Sequence, residues 1–389
     1  MQAIRAARLF DGDQTVLTGD PTVIVDAGRI VSVRHGAAVP AEADLVDLGD
    51  ATLLPGLIDA HVHLAFDAGA DPVGGLAARD DAEVLEGMRA AARTALAAGV
   101  TTIRDLGDRG YLALVLREEF ARAPAVGPHV LAAGPPITTP LGHCWYLGGE
   151  AEGVEGVRAE VRAHAERGVD VIKIMASGGE LTPGTRSHRS QYGLDELRAA
   201  VAEAHRLGLP ITAHAHAGQA IADAVEAGVD SIEHCTFLTE DGVEPLPEVI
   251  EAIARAGVVV SLTLGTRPGS TPPPRIAARM AAMIDLFALL RKAGVPIVCG
   301  TDAGIGPPKP HDVLPHAVGA LVSMLGWSPA EALRTVTSLA AGVCRLEHRK
   351  GRLAPGMDAD ILAVAGDPFA DPAALLDVRA VFRQGHRVR

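Results

Sequence analysis

Short apolar runs recur along the chain near residues 52–60, 100–104, 129–134, 169–175, 209–215, 229–234, 257–263 and 295–301. Their length and their bounding turn residues mark them as buried strands. Between most of them lie segments with apolar residues at helical spacing, at 81–98, 153–167, 194–207, 218–227, 246–256 and 276–293. Several of these segments end in glycine just before the next strand, as in Ala98-Gly99-Val100, Arg167-Gly168-Val169, Ala227-Gly228-Val229, Ala256-Gly257-Val258 and Ala293-Gly294-Val295. Glycine suits the left-handed turn that closes a helix. Strand–helix repeats over this length predict an α/β fold, a (β/α)8 TIM barrel rather than a doubly wound sheet. Strands two and three are joined by the stretch with the least regular spacing. The proline-rich run 267–274 is too short for a linker and reads as a loop between a strand and a helix.

The two ends of the chain look different from the middle. Residues 1–52 alternate short strands and turns, with a hairpin pattern across Val23-Ile24-Val25 and Arg29 to Val33. Residues 349–389 share that texture, in Ala359 to Val364 and Val378 to Gly385. Both ends are therefore expected to pair into one small β-sandwich domain, flanking a barrel over 53–348.

Composition narrows the class. A chain of 389 residues with 48% hydrophobic and 21% charged residues suits a soluble globular protein. A net charge of −13 argues against nonspecific nucleic-acid binding. Cys144, Cys235, Cys299 and Cys344 form no CxxC pair, so a reduced, cytoplasmic protein is expected. Residues 1–20 carry Asp11, Asp13 and Asp20 without the apolar stretch of a signal peptide, and no apolar run is long enough to span a membrane. The expected partner is a small-molecule substrate, with no nucleic acid and no membrane, and the chain is expected to form a homo-oligomer.

The barrel expectation says where chemistry should lie, because such folds carry their active sites at the C-terminal ends of the strands. Strand one ends in His61-Val62-His63, whose alternate side chains share a face. Lys173 lies on strand four. Strand five ends in His214-Ala215-His216, strand six in His234, and strand eight in Asp302. An isolated His-x-His carries little weight. Metal-type and acid–base groups on five strand ends point to a metal site.

These residues resemble the metal-dependent amidohydrolase superfamily. The resemblance rests on Pro55-Gly56-Leu57-Ile58-Asp59-Ala60-His61-Val62-His63, on Lys173, on the two later histidines, on Gly300-Thr301-Asp302, and on Lys350 to Asp360. Ile172 to Gly179 and the stretch from Pro135 to Gly149 are similar to its prolidase-like branch, which includes imidazolonepropionase-like and ochratoxin-amidase-like members. The resemblance implies two divalent metal ions, with zinc expected. His61, His63 and Asp302 would hold the more buried ion, and His214 and His234 the other. Lys173, converted to a carbamate by carbon dioxide, would bridge them together with a hydroxide. A buried lysine loses its proton readily, and its carbamate offers the oxygens that an ammonium cannot. The plainer role for Lys173 is a buried ion pair with Glu233. Asp302 would take the proton of the attacking hydroxide and pass it to the leaving nitrogen. His214 and His216 share a strand face, so either could be the strand-five ligand; His214 aligns better with the family's, which leaves His216 on the substrate side.

Two loops carry candidate substrate contacts. The loop after strand three holds His143, Trp145 and Tyr146, and in similar enzymes its Gly-His contacts substrate. The loop after strand four holds Arg186, Arg189 and Tyr192, a basic and hydrogen-bonding set suited to a carboxylate. Solvated loop charge is the plainer reading of the two arginines. The expected activity is hydrolysis of an amide or peptide-like C–N bond in a dipeptide or N-acyl amino acid. A mononuclear deaminase or imidazolonepropionase-like cyclic-amide hydrolase, a lactone, carbamate or phosphotriester hydrolase, and a non-catalytic scaffold are the alternatives.

Overall fold

The computed structural model describes residues 1–36, 39–272 and 274–389. Pro273, inside the proline-rich loop, lies outside the described residues. Eight strands form the centre: β1 (Leu57–Val62), β2 (Val100–Asp105), β3 (His129–Ala132), β4 (Ile172–Met175), β5 (Ile211–Ala217), β6 (Ser231–Leu238), β7 (Val259–Thr263) and β8 (Ile297–Gly300). They lie in two parallel sheets, ordered β3-β2-β1 and β4-β5-β6-β7-β8. Backbone contacts join the two sheets on both sides. Asp302 N donates to His61 O at 2.8 Å and His63 N to Ala303 O at 3.0 Å. Ile137 N donates to Lys173 O at 2.8 Å, next to the bridge between Ile137 and Ile174.

The expected strand at 52–60 is two strands in different sheets. Ala51–Pro55 belongs to an outer six-stranded sheet and β1 to the centre, with the change at Gly56. A Cβ on Gly56 would sit 2.2 Å from Thr101 Oγ1, so only glycine lets the chain pass β2 this closely. The run of apolar residues hides this break, because both strands are buried throughout. A helix at Leu112–Arg122 occupies the irregular stretch between β2 and β3, and three more, Leu314–Leu325, Pro329–Arg334 and Ser338–Val343, follow β8.

The chain ends build a four-stranded and a six-stranded sheet, each joining segments distant in sequence. Ala51–Pro55 pairs with Ile361–Ala365, which pairs with Val378–Arg383. One core cluster draws Ile4, Val23 and Ile30 from the first sheet and Leu9, Leu53, Ile361 and Phe382 from the second. No helix among the described residues is long and apolar enough to cross a membrane.

A buried ion cluster fastens the returning end. Lys350 pairs with both Asp358 and Asp360, and Arg383 reaches Asp360 at 3.3 Å. Burial pushes the Asp360 carboxyl up, but Lys350 and Arg383 outweigh it and hold it at about 2. A folded-state value below the ordinary 3.8 means a contribution that is present above that value and is lost as pH falls toward 2. The loss between about pH 4 and pH 2 should be about 2 kcal/mol. Urea unfolding across that window should show a smaller loss for Asp360→Asn than for the wild type; equal losses would place the acid sensitivity elsewhere.

Candidate metal centre

Each histidine at the strand ends is fixed through one ring nitrogen. His61 Nδ1 donates to Glu233 Oε2 at 2.8 Å, and His63 Nδ1 to the Gly107 carbonyl at 3.1 Å. His214 Nε2 donates to the Gly178 carbonyl at 3.1 Å. His216 Nδ1 meets Thr236 Oγ1 at 2.7 Å, and His234 Nδ1 meets Thr263 Oγ1 at 2.9 Å. A ring that donates through one nitrogen offers a lone pair on the other.

Those free nitrogens converge. His61 Nε2 and His63 Nε2 lie 3.3 Å apart, and 3.4 and 3.3 Å from Asp302 Oδ1. With the Nδ1 protons committed, three lone-pair groups face one another, which is stable only around a cation or a proton. His214, His216 and His234 make a second group, whose ligand atoms all lie within 4.8 Å of one another. Burial drives the imidazoles of His61, His214, His216 and His234 toward the neutral form that binds metal, that of His61 down to about 4. Burial acts the other way on Asp302, yet His61, His63 and Lys309 keep it well below the usual carboxylate range.

Lys173 is 1% exposed, and among the described residues its amine has no hydrogen bond and no ion pair. The plainer ion-pair role does not hold, because Glu233 is already engaged by Arg104 at 2.9 Å, His61 at 2.8 Å and Thr212 at 2.7 Å. Burial, aided by Arg104 and opposed by Glu233 and Asp302, brings the Lys173 amine down to about 8. Compared with an ordinary lysine, that shift favours the neutral amine, the form that adds carbon dioxide.

The backbone is strained where these groups emerge. His234 and Asp302 have φ of 70° and 60°, in the left-handed region that L-residues rarely adopt. The Lys309 amine ties the neighbouring carbonyls of Thr263 and Thr301 at 3.0 and 2.6 Å. Thr301 in turn donates its hydroxyl to Asp59 at 2.6 Å. A Cβ on Gly300 would lie 2.6 Å from His61 Cβ. Gly300→Ala should therefore displace His61 and weaken metal affinity about 10–100-fold. Gly319→Ala, where a Cβ meets nothing within 4 Å, should leave a metal titration unchanged; equal affinities for the two variants would separate β8 packing from the site.

Of the expected substrate residues, His143 is with the cluster. Its ring centroid is 4.7 Å from that of His214, and its Nδ1 meets Thr182 Oγ1 at 3.1 Å. Arg186 and Arg189 are exposed, with no ion pair among the described residues. Tyr192 is not brought to the site: it is 2% exposed, and its hydroxyl donates to the Ala151 carbonyl at 2.8 Å. Pattern reasoning missed Arg104, Thr212, Thr236, Thr263 and Lys309 as supports. Arg104 alone left a signal, a cation inside an apolar strand; the threonines and Lys309 left none.

Neutral imidazoles aimed at common points, beside a carboxylate and a partnerless lysine, are what divalent ions need in order to activate water. The class is a metal-dependent hydrolase. The chain belongs to the Amidohydrolase family, whose profile matches residues 52–388, and it is an enzyme, a hydrolase acting on C–N bonds. Ochratoxinase from Aspergillus niger is 28% identical, over 94% of this chain and 83% of that protein. Imidazolonepropionase from Paracoccus denitrificans is 28% identical, over 93% of this chain and 92% of that protein. A solved Xaa-Pro dipeptidase with methionine bound in its active site is 27% identical over 99% of both chains, with a TM-score of 0.87. These likenesses place the chain in the prolidase and imidazolonepropionase-like branch, with a TIM-barrel-type fold.

Proposed function

We propose that this chain is a binuclear metal-dependent amidase for a small carboxylate-bearing substrate, a dipeptide or an N-acyl amino acid. The reading takes the two parallel sheets as one closed (β/α)8 barrel and the terminal sheets as a sandwich beside it. His61, His63 and Asp302 would hold one divalent ion. His214 and His234 would hold the other, and Lys173, as a carbamate, would join the two. His214 is preferred to His216 because it lies deeper on β5 and is buried, whereas His216 is half-buried. The observation that carries the reading is Lys173, a buried amine with no partner amid histidines that each keep one ring nitrogen free.

The ions, when bound, would acidify a water molecule and polarise the scissile carbonyl. The chain's own residues do the rest. Asp302 accepts the proton as the water attacks and delivers it to the leaving nitrogen. Glu233, Gly107 and Gly178 hold the imidazoles in one tautomer. His143 stands at the edge of the cluster, where it can donate to the substrate. Arg186 and Arg189, exposed and with no ion partner among the described residues, are the cations this reading assigns to a substrate carboxylate, and the methionine held by the Xaa-Pro dipeptidase is a ligand of that kind.

The test is a screen of dipeptides and N-acyl amino acids against their methyl esters, with a lactone and a phosphotriester alongside. Free acids should exceed their esters by about tenfold or more in kcat/KM, the worth of one charge-assisted contact. Equal rates would remove the carboxylate from the reading, and turnover of the lactone or phosphotriester alone would replace the reaction.

A further inference from the structure

The chain has only seven phenylalanines, three tyrosines and two tryptophans. Three of these line up outward from the metal-site histidines. The ring centroid of His63 is 5.9 Å from that of Phe66, Phe66 is 6.4 Å from Tyr146, and Tyr146 is 6.2 Å from Trp145. Exposure rises along this line: Phe66 is 1% exposed, Tyr146 is half-buried and Trp145 is 40% exposed. The Tyr146 hydroxyl meets Cys144 Sγ at 3.6 Å, while Thr182 holds both the Cys144 amide and the His143 ring, which packs on His214. Tyr146 thus meets Phe66, which packs on His63, with its ring, and Cys144, which shares Thr182 with His143, with its hydroxyl.

The loop is held so as to present apolar groups. Leu141 and Cys144 both have left-handed φ, 56° and 59°. Leu141 N donates to Glu150 at 2.7 Å, His143 N to Gln191 at 2.6 Å and Cys144 N to Thr182 at 2.8 Å. Between these tethers the loop leaves Leu141 69% and Trp145 40% exposed. Strained, well-tethered backbone that exposes large apolar side chains next to a reactive centre is a cost to folding, and substrate contact offsets it. Tyrosine and tryptophan give broad contact area with little conformational freedom to lose.

We infer that Tyr146 and Trp145, backed by Phe66, form an apolar subsite that selects substrates with an aromatic or large aliphatic group beside the scissile bond. This rests on the amidase reading above and names its substrate class. Trp145 and Tyr146 act as specificity residues through contact with that group. His143 and Thr182, at the inner edge, keep the polar scissile group apart from it.

Two series test the subsite on the metal-loaded protein. One keeps an acetyl group and varies the amino acid from glycine to phenylalanine; the other keeps glycine and varies the acyl group from acetyl to benzoyl. The aromatic member should exceed the smallest by about 100-fold in kcat/KM in at least one series, carried mainly by KM. In Trp145→Ala that ratio should fall about tenfold, while Trp145→Phe should restore most of it. Equal kcat/KM across both series, with hydrolysis present, overturns the subsite and leaves the amidase reading standing. A binding readout is independent of turnover. In a Trp327→Phe background, Trp145 fluorescence should change with N-acetyl-D-phenylalanine and not with N-acetylglycine. If no member of either series is hydrolysed, the amidase reading fails, and this readout decides the subsite alone: a response supports it and silence overturns it.

Discussion

Lys173→Ala should lose one of the two divalent ions proposed above and at least about 10³-fold in kcat/KM, which corresponds to about 4 kcal/mol of transition-state stabilisation. The side chain is buried and without a partner, so its removal breaks no ion pair, and the fold should survive. What remains is a pocket beside Asp302 and Glu233, whose charges act on the amine in the wild type. A short carboxylic acid such as propionate can enter that pocket and supply the missing oxygens, so activity and the second ion should return in part as it is added. Metal content by mass spectrometry, read beside kinetics with and without propionate, checks this. Intact metal content and activity in the variant would make Lys173 a buried lysine of no chemical consequence.

Arg104→Met should have the largest effect on stability, about 3–5 kcal/mol. Arg104 and Glu233 are 2% and 0% exposed and pair at 2.9 Å. Arg104 Nε also donates to the Ala60 carbonyl at 2.7 Å, next to His61. Removing the guanidinium strands a carboxylate that it helps to hold far below its ordinary range against the pull of burial. Pairing Arg104→Met with Glu233→Gln takes away the stranded charge, and much of the stability should return. Metal affinity should fall in the double variant, because a neutral amide orients the His61 ring less firmly than a carboxylate does. Denaturant unfolding and metal titration of the three variants separate these effects; a double variant with full affinity would show that Glu233 does not orient His61.

What the sequence made legible follows from where strands end. His61 and His63 share a face because a strand repeats every two residues, and His214, His216, His234 and Asp302 each follow an apolar run that could be counted. Those positions are local. The supports are not: Arg104 meets Glu233 across 129 residues, and Thr301 meets Asp59 across 242. No spacing along the chain encodes such meetings. Tyr192 shows a second limit. Its place just ahead of the helix Leu194–Arg206 was visible, but the side of the loop its ring would take depended on the Ala151 carbonyl, far away in sequence. Gly56 shows a third, since a continuous apolar run cannot reveal that its two halves join different sheets.

The most direct test of the whole account is the number of ions that restores activity. Protein freed of metal by chelation should bind about two divalent ions per chain when bicarbonate is present, with activity rising only as the second is taken up. Full activity at about one ion per chain, or activity untouched by chelation, would contradict the binuclear centre built around Lys173.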